Sequence, residues 1–172
     1  MLYLKTQMEK DYEYVMWIDS DAYICPSFNI NLLINNYPNS VFFISSDIYA
    51  KKYYATVFCS GVFIVKNNSK GKELVNFIID HLTNPAKQSM YIKLDPNKDW
   101  AAFTYEQGIM NVAIRKYRKH CTLLDRNYLN ENQDNFNKKS WVIHAMGPAN
   151  AEERNETCLK VIKLWQDLTL MS

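Results

Sequence analysis

The apolar residues of the chain follow two rhythms. Three runs are contiguous: residues 15–18 (Val-Met-Trp-Ile), 41–46 (Val-Phe-Phe-Ile-Ser-Ser) and 57–66 (Val-Phe-Cys-Ser-Gly-Val-Phe-Ile-Val-Lys). Runs of this length without polar alternation predict strands covered on both faces. Elsewhere the apolar positions recur at helical spacing. Leu74, Phe77, Ile78 and Leu82 predict a helix that packs on the sheet. Met110, Ala113, Ile114 and Tyr117 predict another over 104–119, with Thr104 and Gln107 placed as a capping box. Shorter helices are expected over 1–10, with Leu2, Tyr3, Leu4 and Met8 as apolar positions, and over 28–36. A last helix is expected over 151–168, with Cys158, Ile162 and Trp165 inward. Residues 121–124 and 140–144 read as short strands; 49–56, 84–99 and 127–139 read as connections, the second of them long and carrying Pro85 and Pro96. Strands and helices interleave with no internal repeat and no splitting linker, so an α/β architecture in one domain over 1–172 is expected.

Composition narrows the partners. With 172 residues, 48% hydrophobic and 22% charged, the chain is globular and long enough for a real core. A net charge of +2 with scattered basic residues gives no electrostatic case for nucleic acid or a membrane surface. There is no apolar segment long enough to span a bilayer, and no signal peptide is expected. Cys25, Cys59, Cys121 and Cys158 lie far apart without Cys-x-x-Cys spacing, which favours reduced thiols over a zinc cluster or a disulfide scaffold. Sequons at Asn67 and Asn155 hint at a secretory lumen, although the chain is rich in Asn.

The chemistry concentrates where the first apolar run stops, at Asp19-Ser20-Asp21. Two carboxylates at the end of a buried strand are costly unless a cation or hydrogen-bond donors meet them. Strand ends are also where α/β sheets bind ligands. A hard divalent cation that bridges substrate phosphates, Mn²⁺ or Mg²⁺, fits this pattern. Further along, Gly61 interrupts a strand, as at a close approach of backbone or ligand. Glu106 and Gln107 open a helix, and His144 ends the last strand. Each has a plainer reading taken singly: Glu106 complements a helix N-terminus, Gln107 completes the capping box, and His144 packs at a strand end. By the same plainer reading Trp17, Trp100, Trp141 and Trp165 are core, Lys51 and Lys52 are solvated, and His81 and His120 lie on helix surfaces.

In order, the series is Asp19-x-Asp21, Ser60-Gly61 in a strand, Glu106-Gln107 at a helix start, and His144 followed by Gly147. This series resembles the retaining GT-A glycosyltransferases, closest to the galactosyl/mannosyl/xylosyltransferase group and more distantly the glycogenin-like group. The resemblance implies a GT-A-like mixed sheet flanked by helices. It implies transfer of a hexose or pentose from a UDP- or GDP-sugar to a glycan or glycoprotein acceptor, with retention. It further implies Mn²⁺ (or Mg²⁺) held by Asp19, Asp21 and His144, with Asp19 also near the ribose. Ser60 and Gly61 would lie beside the donor sugar, and Glu106 and Gln107 near the anomeric carbon. Relatives of this kind act in the Golgi or secretory lumen. Cys59 stands where the family carries Asn before Ser-Gly. The family also places most of a nucleotide-binding half before Asp-x-Asp, so an N-terminally truncated fold is expected, either part of a longer chain or completed by another protein. A non-catalytic remnant or binding module of the same fold is the alternative. A phosphatase of the haloacid dehalogenase type shares Asp-x-Asp, but the chain has Tyr23 where that family has Thr or Val and lacks a late Asp-Asp pair.

Overall fold

The structure, a computed structural model, describes residues 1–47, 58–92, 105–132, 135, 139–145 and 151–170. In chain order its elements are α1 (Leu2–Gln7), β1 (Tyr14–Ile18), β2 (Ala22–Ile24), α2 (Ile30–Asn36), β3 (Phe42–Ser46), β4 (Phe58–Lys66), α3 (Ser69–Thr83) and α4 (Pro85–Ile92). They continue with α5 (Glu106–Lys116), β5 (Cys121–Leu124), α6 (Arg126–Leu129), β6 (Val142–His144) and α7 (Ala151–Leu170). A four-stranded sheet runs β1-β4-β3-β5, and β2 and β6 pair separately. In the larger sheet β4 is antiparallel to both β1 and β3, while β5 is parallel to β3, so the sheet is mixed.

The contiguous apolar runs are explained by the two central strands. Side chains alternate faces along a strand. Phe42 and Ile44 of β3 and Phe63 and Val65 of β4 pack with Leu74 and Ile78 of α3 and with Ile109, Met110 and Ala113 of α5. Phe43, Val62 and Ile64 pack on the other face with Leu33, Leu124, Leu129, Trp141 and Val142. Both faces are covered, so every position of β3 and of β4 up to Val65 is apolar or small, and all of them but Ser46 are buried.

Several expectations are corrected. The run 15–18 is not buried throughout. Among the described strands β1 is an edge, only Val15 is buried, and Ile18 is 37% exposed. Leu4 and Met8 enter the core, but Leu2 and Tyr3 are exposed. The connection expected over 84–99 begins as a helix, with Pro85 at its first position, where a missing N–H costs nothing. The polar stretch 127–139 contributes to α6, and Glu131 bridges to Ile143. Among the described residues of α7 the buried position is Val161, Cys158 and Ile162 are partly covered, and Trp165, 36% exposed, donates its indole N–H to the Ile24 carbonyl at 2.6 Å. His81 is buried rather than superficial: its ring stacks 3.9 Å from that of Phe77. His120 is half-buried. Trp141 is core, as expected. The loop 49–56, with Lys51 and Lys52, and also Trp100, Thr104 and Gly147, lie outside the described residues.

The cysteines carry free thiols, and burial pushes Cys25 up to about 11 and Cys121 up to about 12. Asn67, the first sequon, donates its side-chain N–H to the Lys10 carbonyl at 2.9 Å. Among the described residues no helix is long and apolar enough to cross a membrane.

Candidate metal centre

Two strand registers assemble the site. The β1–β4 register sets Ile18 opposite Val62, which leaves Asp19 facing Gly61, and the Asp19 N–H donates to the Gly61 carbonyl at 2.9 Å. The β2–β6 register sets Ala22 opposite His144, and the Ala145 N–H donates to the Asp21 carbonyl at 2.8 Å. A tight turn joins the two, closed by the Ala22 N–H donating to the Asp19 carbonyl at 3.1 Å. Asp19, Asp21 and His144 therefore converge from opposite ends of the chain. Each offers one ligand atom, and these atoms lie within 4.8 Å of one another.

His144 is 6% exposed. Its Nε2 lies 3.1 Å from Asp21 Oδ1, and its Nδ1 lies 3.1 Å from Asn130 Oδ1 and 3.6 Å from Cys59 Sγ. Burial works against an imidazolium, but the hydrogen bond to Asp21 and the contact with Cys59 outweigh it and hold the ring's pKa up to about 10. Asp19 accepts the Trp17 indole N–H at Oδ1, 2.8 Å away. Its pKa is raised, chiefly by burial; the Trp17 bond and the His144 charge pull it down, and the Asp21 and Glu106 carboxylates push it up. The centre thus gathers carboxylates around a single imidazole and is short of positive charge.

A divalent cation suits this donor set, in which carboxylate oxygens and one imidazole nitrogen match Mn²⁺ or Mg²⁺. Trp17 occupies Oδ1 of Asp19, and Oδ2 faces Gly61. A Cβ at Gly61 would stand 2.3 Å from His144 Cε1 and 3.1 Å from Asp19 Oδ2, so the missing side chain leaves the room that both ligand groups use. The residues present fit the ion.

Beside the centre lies a cleft of about 490 Å³, lined among others by Leu2, Tyr3, Trp17, Asp19, Ser60 and Glu106. The start of α5 supplies one wall. The Ser60 hydroxyl lies 3.3 Å from Glu106 Oε1 and 3.2 Å from Gln107 Oε1, and the Ser60 N–H donates to the same Gln107 oxygen at 3.2 Å. Gln107 is therefore a partner of Ser60, and the helix cap at Tyr105 makes no side-chain bond. Because the Ser60 N–H can only donate, the Gln107 oxygen must face it. That leaves Nε2, a buried donor, without an acceptor among the described residues.

The structure brings the residues expected at the site together: Asp19, Asp21 and His144 cluster, Gly61 abuts that cluster, Ser60 and Glu106 line the cleft with Asp19, and Gln107 bonds to Ser60. Two contributors escaped the sequence reading. Trp17 was expected in the core, yet it lies two residues before Asp19 on the same face of its strand. That spacing was a readable signal. Asn130 sat in a stretch read as loop, and nothing local marked it.

No protein-family model matches the chain, and comparison with curated protein sequences finds no match. Among solved structures, the chain is similar to a glycosyltransferase involved in the glycosylation of the major capsid of PBCV-1. The TM-score is 0.58 at 20% identity, covering 92% of this chain and 73% of that one. Mouse xyloside xylosyltransferase 1, in its apo form, aligns with a TM-score of 0.48 at 12% identity over 87% of this chain and 63% of that one. The first likeness is one of fold: a mixed α/β sheet flanked by helices, of the GT-A-like kind.

Proposed function

We propose that this chain is a metal-assisted glycosyltransferase that moves a hexose or pentose from a UDP- or GDP-sugar to a glycan or glycoprotein acceptor, with retention. The observation that carries this reading is the convergence of Asp19, Asp21 and His144 at the edge of the cleft that Ser60 and Glu106 also line. Asp19, Asp21 and His144 would hold Mn²⁺ or Mg²⁺. When bound, the cation supplies Lewis-acid neutralisation of the charge that builds on a departing diphosphate.

The remaining roles belong to the chain itself. Trp17 fixes the Asp19 carboxylate through its indole N–H. Ser60 and Gly61 border the donor sugar. Among the described residues the Gln107 Nε2 is a buried donor without an acceptor, a place that a sugar hydroxyl or phosphate oxygen would fill. Glu106 carries a carboxylate into the cleft, suited to stabilise positive charge developing on the sugar ring. The acceptor hydroxyl gives its proton to the leaving phosphate on the same face. The chain spans 73% of the capsid-glycosylating relative. Surface outside residues 1–172, in the same protein or a partner, is proposed to complete the grip on the nucleotide base.

The test is calorimetric titration of Mn²⁺ into the 172-residue chain with and without UDP, repeated with Asp21→Ala, followed by assay of UDP release from a panel of UDP-sugars. The reading expects Mn²⁺ binding that strengthens with UDP and is lost in the variant. Absence of cation binding by a folded chain would overturn it. A second reading, a non-catalytic module of the same fold, is favoured by Cys59, whose sulfur packs against His144 where a polar contact to the sugar is expected of the family. That reading expects Mn²⁺ and UDP binding with no turnover of any sugar nucleotide.

A further inference from the structure

We infer that Asn130 is a positioning residue of the metal centre, fixing the His144 ring so that Nδ1 keeps its hydrogen and Nε2 faces the carboxylates. This inference rests on the metal-assisted reading above. Asn130 is 1% exposed, and its Nδ2 donates to the Ser46 carbonyl at 3.3 Å. A carbonyl only accepts, so the amide cannot be reversed, and Oδ1 must be the atom 3.1 Å from His144 Nδ1. That oxygen in turn only accepts, so Nδ1 carries a hydrogen. Nε2 lies 3.1 Å from Asp21 Oδ1, which also only accepts, so both nitrogens carry a hydrogen in the metal-free fold, and the one on Nε2 is the one a cation among the carboxylates would replace.

Asn130 also settles a competition. Cys59 Sγ lies 3.6 Å from the same Nδ1 and could donate its S–H to a bare nitrogen there. That would leave the hydrogen on Nε2, where it blocks a ligand. Asn130 opposes this by accepting from Nδ1, so that the hydrogen a cation displaces is the one on Nε2. The mounting is firm on both sides. The Asn130 N–H donates to Arg126 at 2.8 Å, and Ser45 Oγ ties α6 to β3 through Asp125 and Leu129 at 3.0 and 2.9 Å. The His144 N–H donates to the carbonyl of Glu131, the residue after Asn130, at 2.7 Å. Acceptor and ring therefore sit on directly bonded segments.

The experiment compares wild type, Asn130→Ala and Asn130→Asp, with folding monitored by circular dichroism. Asp keeps the acceptor but loses the donor to Ser46, so a structural cost and a positioning cost separate. Calorimetry with Mn²⁺ alone should show affinity falling about 10–100-fold in N130A and returning toward wild type in N130D. Nitrogen-15 spectra of the Cd²⁺-loaded wild type should show Nδ1 protonated and Nε2 ligated. In the metal-free chain the Nδ1–H should be protected from solvent exchange in wild type and N130D and lose that protection in N130A, a readout that needs no cation. A folded N130A with unchanged Mn²⁺ affinity would overturn the inference, as would equal losses in N130A and N130D or an Nδ1–H equally protected in wild type and N130A. If no cation binds any variant while Asn130 protects the Nδ1–H, the orientation stands and it is the metal reading that fails.

Discussion

Gly61 gives the centre its room. Replacing it with alanine puts a carbon 2.3 Å from His144 Cε1, and His144 is buried against Asn130 and Asp21 and has nowhere to retreat. We expect Gly61→Ala to weaken Mn²⁺ binding at least tenfold and to cost about 1–3 kcal/mol of stability, as overpacking does, measured by calorimetry and urea denaturation. His144 also sets a pH dependence. Its pKa is held up to about 10 in the metal-free fold, above the ordinary histidine value, because the bond to Asp21 and the contact with Cys59 outweigh burial. A raised pKa means the imidazolium favours the folded state. Its contribution is complete below about pH 6.5 and fades as pH climbs toward about 10. Denaturation midpoints of the metal-free chain should therefore fall across that window, and His144→Phe should flatten the fall.

The helix α3 shows how an element is held to its neighbours. Asn68 caps it by accepting the Gly71 N–H at 2.9 Å. At Gly71 the helix crosses the end of β4 so closely that a Cβ would lie 1.9 Å from the Lys66 carbonyl oxygen. A backbone oxygen cannot swing aside as a side chain can. We expect Asn68→Ala to cost about 1 kcal/mol, the usual loss of a cap. Gly71→Ala should cost clearly more, since α3 must lift off Leu74 and Ile78's packing, and thermal unfolding of the two variants side by side checks the order. Helical spacing made α3 and α5 legible, because an apolar stripe is a local pattern. The same pattern could not reveal that β1 lies at an edge, since strand neighbours are decided by residues far away.

At the level of the whole chain, residues 1–172 are proposed to act as one domain. The larger sheet and the β2–β6 pair share the Asp19–Ala22 turn, and α7 leans on the smaller pair through Val161 and Trp165. Circular dichroism and tryptophan fluorescence should then report one coincident transition. Mn²⁺ at about a hundred times its dissociation constant should add about 2.7 kcal/mol to the stability. Asp21→Asn should abolish the increment without splitting the transition. Two separate transitions would divide the domain, and a Mn²⁺ effect that persists in the variant would place the cation elsewhere.

The sequence by itself determined the strand runs, the main helices and the residue types of the centre. Apolar periodicity and a pair of carboxylates at a strand end are written locally. Tertiary structure alone decided that Asp19 faces Gly61 and that Ala22 faces His144, because registers join segments more than forty residues apart in one case and over a hundred in the other. It also decided the burial of His81 and the place of Asn130. Asn130 is an ordinary polar residue in a polar stretch. Only the fold brings Ser46 to one end of its amide and His144 to the other, and the opposite hydrogen-bonding demands of a carbonyl and a ring nitrogen give the residue its orientation.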